Sequence, residues 1–176
     1  MFAFLKFIIR FANAINEWVG KTSSWLTLFL VILVCFDVGK RYILNSSSAW
    51  GMELEWHLFA AIFLLGAGYT FKHDRHVRVD LFYSNFSKRD KAWTNLLGGI
   101  FLLIPWCILI IVASYSYAKG SLEIMEKSPN PGGLPFRFII KFAITFGFGL
   151  LLLQAIANVS ESLLIIIEKP KPQEQD

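Results

Sequence analysis

Apolar residues in this chain come in long blocks broken by short polar or charged stretches, and the blocks exceed what a strand or a half-buried helix of a water-soluble domain would use. Four of them are long enough to cross a membrane as helices, over residues 22–44, 50–72, 93–118 and 135–167. Trp50–Phe71 has 22 residues. At about 1.5 Å per residue it covers roughly 33 Å, close to the roughly 30 Å hydrocarbon core. In the third block Pro105 predicts a kink near mid-membrane. The fourth opens at Pro135, a residue suited to a first helical position, and at about 1.5 Å per residue approaches 50 Å, so it must tilt, bend or protrude. Asn158–Ser162 marks where it leaves the hydrocarbon.

Two shorter stretches are amphipathic rather than uniformly apolar. In Met1–Val19, Lys6, Arg10, Asn13 and Glu17 recur on one helical face, and Phe4, Leu5, Ile8, Ile9, Ala12 and Ile15 occupy the other. A cleaved signal would instead show a continuous apolar run and a small-residue cleavage site, so this segment reads as an interfacial helix leading into span one. Asp80–Lys91 sets Leu81, Phe82 and Phe86 against Asn85, Lys88, Arg89 and Asp90, and predicts a second interfacial helix between spans two and three. The fold class is therefore an all-α integral membrane protein: one four-helix domain, residues 1–168, with interfacial helices before span one and between spans two and three. A disordered cytoplasmic tail is expected over 169–176, which carries Pro170 and Pro172.

The connection Asn45–Ala49 is short and polar, which makes spans one and two antiparallel neighbours. Pro129, Pro131, Gly132, Gly133 and Pro135 end the third span in an ordered turn. Gly66, Gly68 and Thr70 thin the second half of span two, as close helix packing in lipid requires.

Composition agrees with a membrane class: 55% of the 176 residues are hydrophobic, which a soluble domain of this size could not hide. The net charge of +4 is spread beside apolar blocks with no basic tract, which excludes nucleic acid as the partner. The N-terminus, the loop after span two and the tail hold Lys6, Arg10, Lys21, Lys72, Arg75, Arg78, Lys88, Arg89, Lys91, Lys169 and Lys171, 11 of the 17 Lys and Arg residues. That asymmetry predicts a multi-pass protein with both termini in the cytoplasm.

Candidate chemistry is sparse. Asp37 and Arg41 sit four residues apart and form a structural ion pair near the end of span one. His73 and His76, three residues apart and flanked by Asp74 and Asp80, could be imagined as metal ligands, but the pattern is unspecific and a charged membrane-proximal collar explains the same residues better. His57 and His73 are 16 residues apart on one helix. That is roughly 24 Å, too far to share a haem iron. Cys35 and Cys107 lie inside apolar blocks and read as inert. No phosphate loop, serine elbow or paired carboxylates stand out, so the chain is not read as an enzyme. The spans also lack the polar midplane of a complete solute carrier, apart from Asp37, Gln154 and Tyr69.

Glu53, Leu54, Glu55 and Trp56 open span two, and Tyr69, Thr70, Lys72, Asp74, His76, Val77, Arg78, Val79 and Asp80 close it. Together with Asp37-Val38-x-x-Arg41-Tyr42, this order resembles the DctQ-type small membrane subunit of tripartite ATP-independent periplasmic (TRAP) transporters. Ser128–Pro135 looks like the loop of the mannitol/chloroaromatic-type branch, whose members are associated with organic acids. The resemblance implies a bacterial inner-membrane scaffold for a large multi-span elevator subunit that holds Na⁺ and the solute and is fed by a periplasmic substrate-binding protein. It implies no cofactor, metal, catalytic or substrate-binding residue in this chain. Glu53, Glu55, Trp56, Tyr69, Lys72, Asp74, His76, Arg78 and Asp80 are then expected to meet the partner or phospholipid head groups. The rival readings are the membrane anchor of a redox enzyme and a self-sufficient four-helix exporter, whose essential carboxylate would be Asp37.

Overall fold

A computed structural model describes residues 2–74 and 83–167. It contains four helices long and apolar enough to span a membrane. Helix α1 is Phe2–Leu44, α2 is Ala49–Lys72, and α3, Lys88–Gly98, runs through a π turn, Gly99–Leu103, into α4, Ile104–Glu123. The last helix, α5, is Phe138–Ile167.

The expected interfacial helix and span one are a single unbroken helix of 43 residues. Nothing between Val19 and Thr22 stops it, because Gly20 serves contact rather than termination: a Cβ there would overlap the Tyr69 ring of α2. The face assignment of its first half also changes. Lys6 and Arg10 are exposed, but Asn13 and Glu17, read as part of the same watery face, turn toward α5 and α2.

Residues 83–91 lead through a turn into α3, with Ser87 as cap: its Oγ accepts from the Asp90 N–H at 3.2 Å. The expected second interfacial helix otherwise lies outside the described residues, as does the tail. The kink expected from Pro105 takes the form of the π turn just before it. Proline has no N–H for the Phe101 carbonyl and its ring crowds that oxygen, so the turn widens.

Helix α5 starts at Phe138 rather than Pro135. Phe136 holds a left-handed φ of 64°, which a helix cannot contain, and the Arg137 N–H is drawn back to the Glu126 carbonyl at 3.1 Å.

α5 is the hub, packing against α1, α2, α3 and α4. Its buried stripe is made mostly of small or polar residues, Gly147, Gln154, Ala155, Ala157, Ser160 and Ser162. Small side chains let helices approach in lipid, where apolar burial gives no net drive. The outer surface is the apolar one, as at Phe63, Phe101, Leu102 and Phe146, all at least 67% exposed.

Candidate functional site

The bundle has a loop end, with the connections 45–48 and 124–137, and a collar end, where α2 finishes and α3 begins. Polar side chains gather at both ends and in one layer between.

At the loop end Glu53 is 4% exposed and does not sit on the rim where the sequence placed it against a partner or lipid. Its carboxylate holds the proline and glycine loop. Oε1 accepts from Ser128 Oγ and from Asn130 Nδ2 at 2.9 Å, and Oε2 accepts from the Leu134 N–H at 2.7 Å. A tight loop has backbone N–H groups left over, and a charged acceptor one helical turn inside α2 satisfies one of them.

Beside it, Glu126 accepts from Lys141 Nζ and from Ser121 Oγ, the latter at 2.6 Å, while Arg137 stands farther off at 3.9 Å. Lys141, with the Ser121 hydroxyl next in effect, holds the Glu126 carboxyl below the ordinary range. Lys141 also lies over the Tyr117 ring, and Arg137 lies 5.9 Å from the Trp56 ring, which packs at a tilt against His57. Below this cluster an open groove of about 550 Å³ runs between Trp56, Phe63, Ile140 and Ile144. Across the bundle, Arg41 Nη2 donates to Asp37 Oδ2 at 2.6 Å, and Asp37 is buried against Gly51.

The middle layer escaped the sequence reading except for Gln154. Asn16 is fully buried and donates through Nδ2 to Gln154 Oε1 at 3.0 Å and to the Leu150 carbonyl at 3.3 Å. Gln154 Nε2 donates in turn to Asn13 Oδ1 at 2.9 Å. The available signal was the recurrence of Asn13, Asn16 and Gln154 inside otherwise apolar helices, since polar side chains in lipid seek partners on neighbouring helices.

At the collar end Lys72 also turns inward. Its Nζ donates to Glu17 Oε2 at 2.6 Å and to the Asn13 carbonyl at 3.2 Å. Lys21 and His73 complete the shell of Glu17, each at 2.9 Å. Tyr69 covers Gly20 and packs against the His73 ring. Asp74 lines a polar groove with Lys88, Lys91 and Glu161. His76, Arg78 and Asp80 lie outside the described residues.

Of the expected rim set, Glu55 and Trp56 remain on or near the outer surface. One carboxylate oxygen of Glu55 is buried without a hydrogen-bond partner, and Trp56 is 41% exposed. Cys35 is exposed and Cys107 buried, both free. Among the described residues no three His, Cys, Asp or Glu side chains meet in a way that could hold a metal ion. The arrangement ties helices to one another and to a loop, and presents an apolar exterior.

The sequence aligns at 28% identity over 116 residues with the sialic acid TRAP transporter small permease protein SiaQ of Vibrio cholerae, covering 65% of this chain and 64% of that protein. It aligns at 23% identity over 104 residues with the sialic acid TRAP transporter permease protein SiaT of Haemophilus influenzae, covering 59% of this chain and 16% of that protein. Residues 30–164 match the model of the DctQ component of tripartite ATP-independent periplasmic transporters. That match takes in the last third of α1, all of α2, α3 and α4 and nearly all of α5, including Asp37, Glu53, Glu126 and Gln154. The chain belongs to the DctQ family, as a multi-pass transporter component and not an enzyme.

Proposed function

We propose that this chain is the scaffold subunit of a Na⁺-coupled, binding-protein-dependent importer of an organic acid. It braces a large elevator-type membrane subunit in the inner membrane, with both termini in the cytoplasm, and gives no ligand to Na⁺ or to the solute. The observation that carries the reading is where its buried polar groups go. Asp37 is taken by Arg41, Glu53 by its loop, Gln154 by Asn13 and Asn16, and Glu17 by Lys72, so they act as ties within one rigid body. A frame against which a second body slides needs that stiffness and an apolar flank.

The solute class rests on two indications with one shared chemistry. The relatives are named for sialic acid, and Ser128–Pro135 resembles a branch associated with organic acids. Both point to a solute bearing a carboxylate. Substrate choice falls to the large subunit and the binding protein.

The test is uptake in proteoliposomes containing the large subunit, the binding protein and a Na⁺ gradient. Omitting this chain is expected to abolish or strongly impair uptake, and Asp37→Asn is expected to leave Na⁺ dependence and solute affinity unchanged. An altered Na⁺ dependence in Asp37→Asn with the complex intact would place this chain in the transport site and remove the scaffold reading.

A further inference from the structure

Two glutamates open α2 two residues apart, and the structure gives them opposite circumstances. Glu53 is saturated by three donors of its own chain. Glu55 accepts no hydrogen bond, and its Oε1 is shut off from solvent. Among the described residues no Lys, Arg or His lies within ion-pair distance of it, and the guanidinium of Arg41 on the neighbouring helix is held by Asp37.

A buried, donorless carboxylate oxygen is costly wherever it lies, and more so inside a helix meant for lipid. The residue itself is only half-buried, so the carboxylate lies at the edge of the outer surface with one of its oxygens covered. The helical repeat puts Glu55 beside Met52, Phe59 and Phe63, a stripe 47%, 65% and 72% exposed. Phe59 and Phe63 border the open groove against α5, and the described residues leave the stripe uncovered. An apolar helix face interrupted by one unpaired carboxylate is complementary to a transmembrane helix carrying one cation. Lipid tails would cover the apolar residues and leave the acid unanswered.

We infer that Glu55 is the polar anchor of the docking face for the large membrane subunit, and that it pairs there with a Lys or Arg on a transmembrane helix of that subunit. The inference rests on the proposed scaffold role and adds to it the face and the chemistry of contact.

The experiment uses a tagged form of this chain expressed with its large subunit. Wild type is expected to recover the large subunit at one to one, Glu55→Asp to retain most of it, and Glu55→Gln to lower recovery about tenfold. Each variant must elute alone as one sharp species, which keeps a folding defect separate from lost docking. Photo-crosslinking residues placed at Met52 and Phe59 in the intact complex are expected to capture the large subunit.

Unchanged recovery in Glu55→Gln, or cross-links only to lipid while the complex stays intact, would overturn the docking face and leave the scaffold role standing. Failure of wild type to recover any large subunit would bring down both.

Discussion

Asn16 shows how little polar chemistry a membrane bundle needs to fix three helices. It has no exposed surface, its amide donates to Gln154 and Leu150 of α5, and its oxygen lies against Gly68 of α2. A methyl at position 68 would collide with that oxygen and crowd the Leu150 carbonyl. Gly68→Ala is therefore expected to destabilise the bundle by about 1–3 kcal/mol, the usual cost of overpacking. Thermal unfolding in detergent followed by tryptophan fluorescence reads it directly, and an unshifted transition would mean that α1 and α5 give way without loss. Glu126 supports a different kind of test, because it lies in the connection before α5 and its carboxyl is held low by Lys141. A carboxyl whose folded pKa lies below its unfolded value contributes stability that is complete above the unfolded value. That contribution is lost as pH falls through the lowered folded value. Proteolysis of the 124–137 connection should stay slow at pH 5–7 and quicken as pH falls below the ordinary carboxylate range, about 4.5. Glu126→Gln should be cleaved faster at neutral pH and show a smaller further change on acidification, the remainder coming from Glu53, which holds the same loop. Equal acid sensitivity in both proteins would assign the transition to other carboxylates.

At the scale of elements, the π turn before Pro105 corrects a slip in register. The buried residues of α3 and the turn, Ala92, Leu96 and Gly99, follow one heptad track, while Cys107, Ser114 and Ser121 of α4 follow another one residue out of phase. One extra residue in the wide turn absorbs the difference of about 100° and puts both tracks on the α5 side. Deleting Leu102, which faces outward, together with Pro105→Ala should give a regular helix that keeps the native face. Inserting one alanine after Leu102 should rotate one half away from α5. The reporter is the Ser114–Thr145 contact, 2.9 Å between hydroxyls. With both native cysteines replaced, a Ser114→Cys, Thr145→Cys pair should cross-link in the deletion background and fail in the insertion background, and equal cross-linking would discard the register account. The slip is visible in sequence once the buried residues are known, but not before. Four spans were legible because long apolar blocks leave few alternatives to a membrane helix. Which side of each helix faces inward was not, since in a membrane both sides are apolar: Phe63 lies outside and Leu151 inside with nothing in composition to separate them. For the same reason Asn13 and Glu17 read as solvated, because their partners Gln154 and Lys72 lie 141 and 55 residues away. Glu53 read as a rim charge because the loop that claims it comes 75 to 81 residues later.

For the molecule as a whole, the lengths of the helices decide how it can sit in a bilayer. The 24 residues of α2 match the hydrocarbon thickness, whereas the 43 of α1 reach roughly 65 Å, about twice that thickness. The two are tied at Glu17 and Lys72, so α1 has some fifteen residues left where α2 stops. Around that surplus the side chains divide into three sectors. Leu5, Ile8, Ile9 and Ala12 turn inward, Lys6 and Arg10 are exposed, and Phe4, Phe7, Phe11 and Trp18 form an exposed aromatic sector, with Phe7 and Phe11 stacked. The two apolar sectors together lie opposite the charged one, which is the arrangement of a helix lying obliquely in the interface with its bases toward water. A straight continuation along the membrane normal would push Phe4, Phe7 and Phe11 into water. The helix is therefore expected to cross the bilayer strongly tilted, with Phe7 and Phe11 at the depth of the upper acyl chains. Spin labels placed singly at positions 7 and 11 in nanodiscs should be relaxed by lipid-soluble oxygen more than by a water-soluble nickel chelate, and labels at positions 6 and 10 the reverse. Position 32, exposed in the middle of the first span, calibrates full burial in lipid. If positions 7 and 11 respond to the chelate as strongly as 6 and 10, the first half of α1 stands free of the membrane, and its aromatic sector must be covered by another chain.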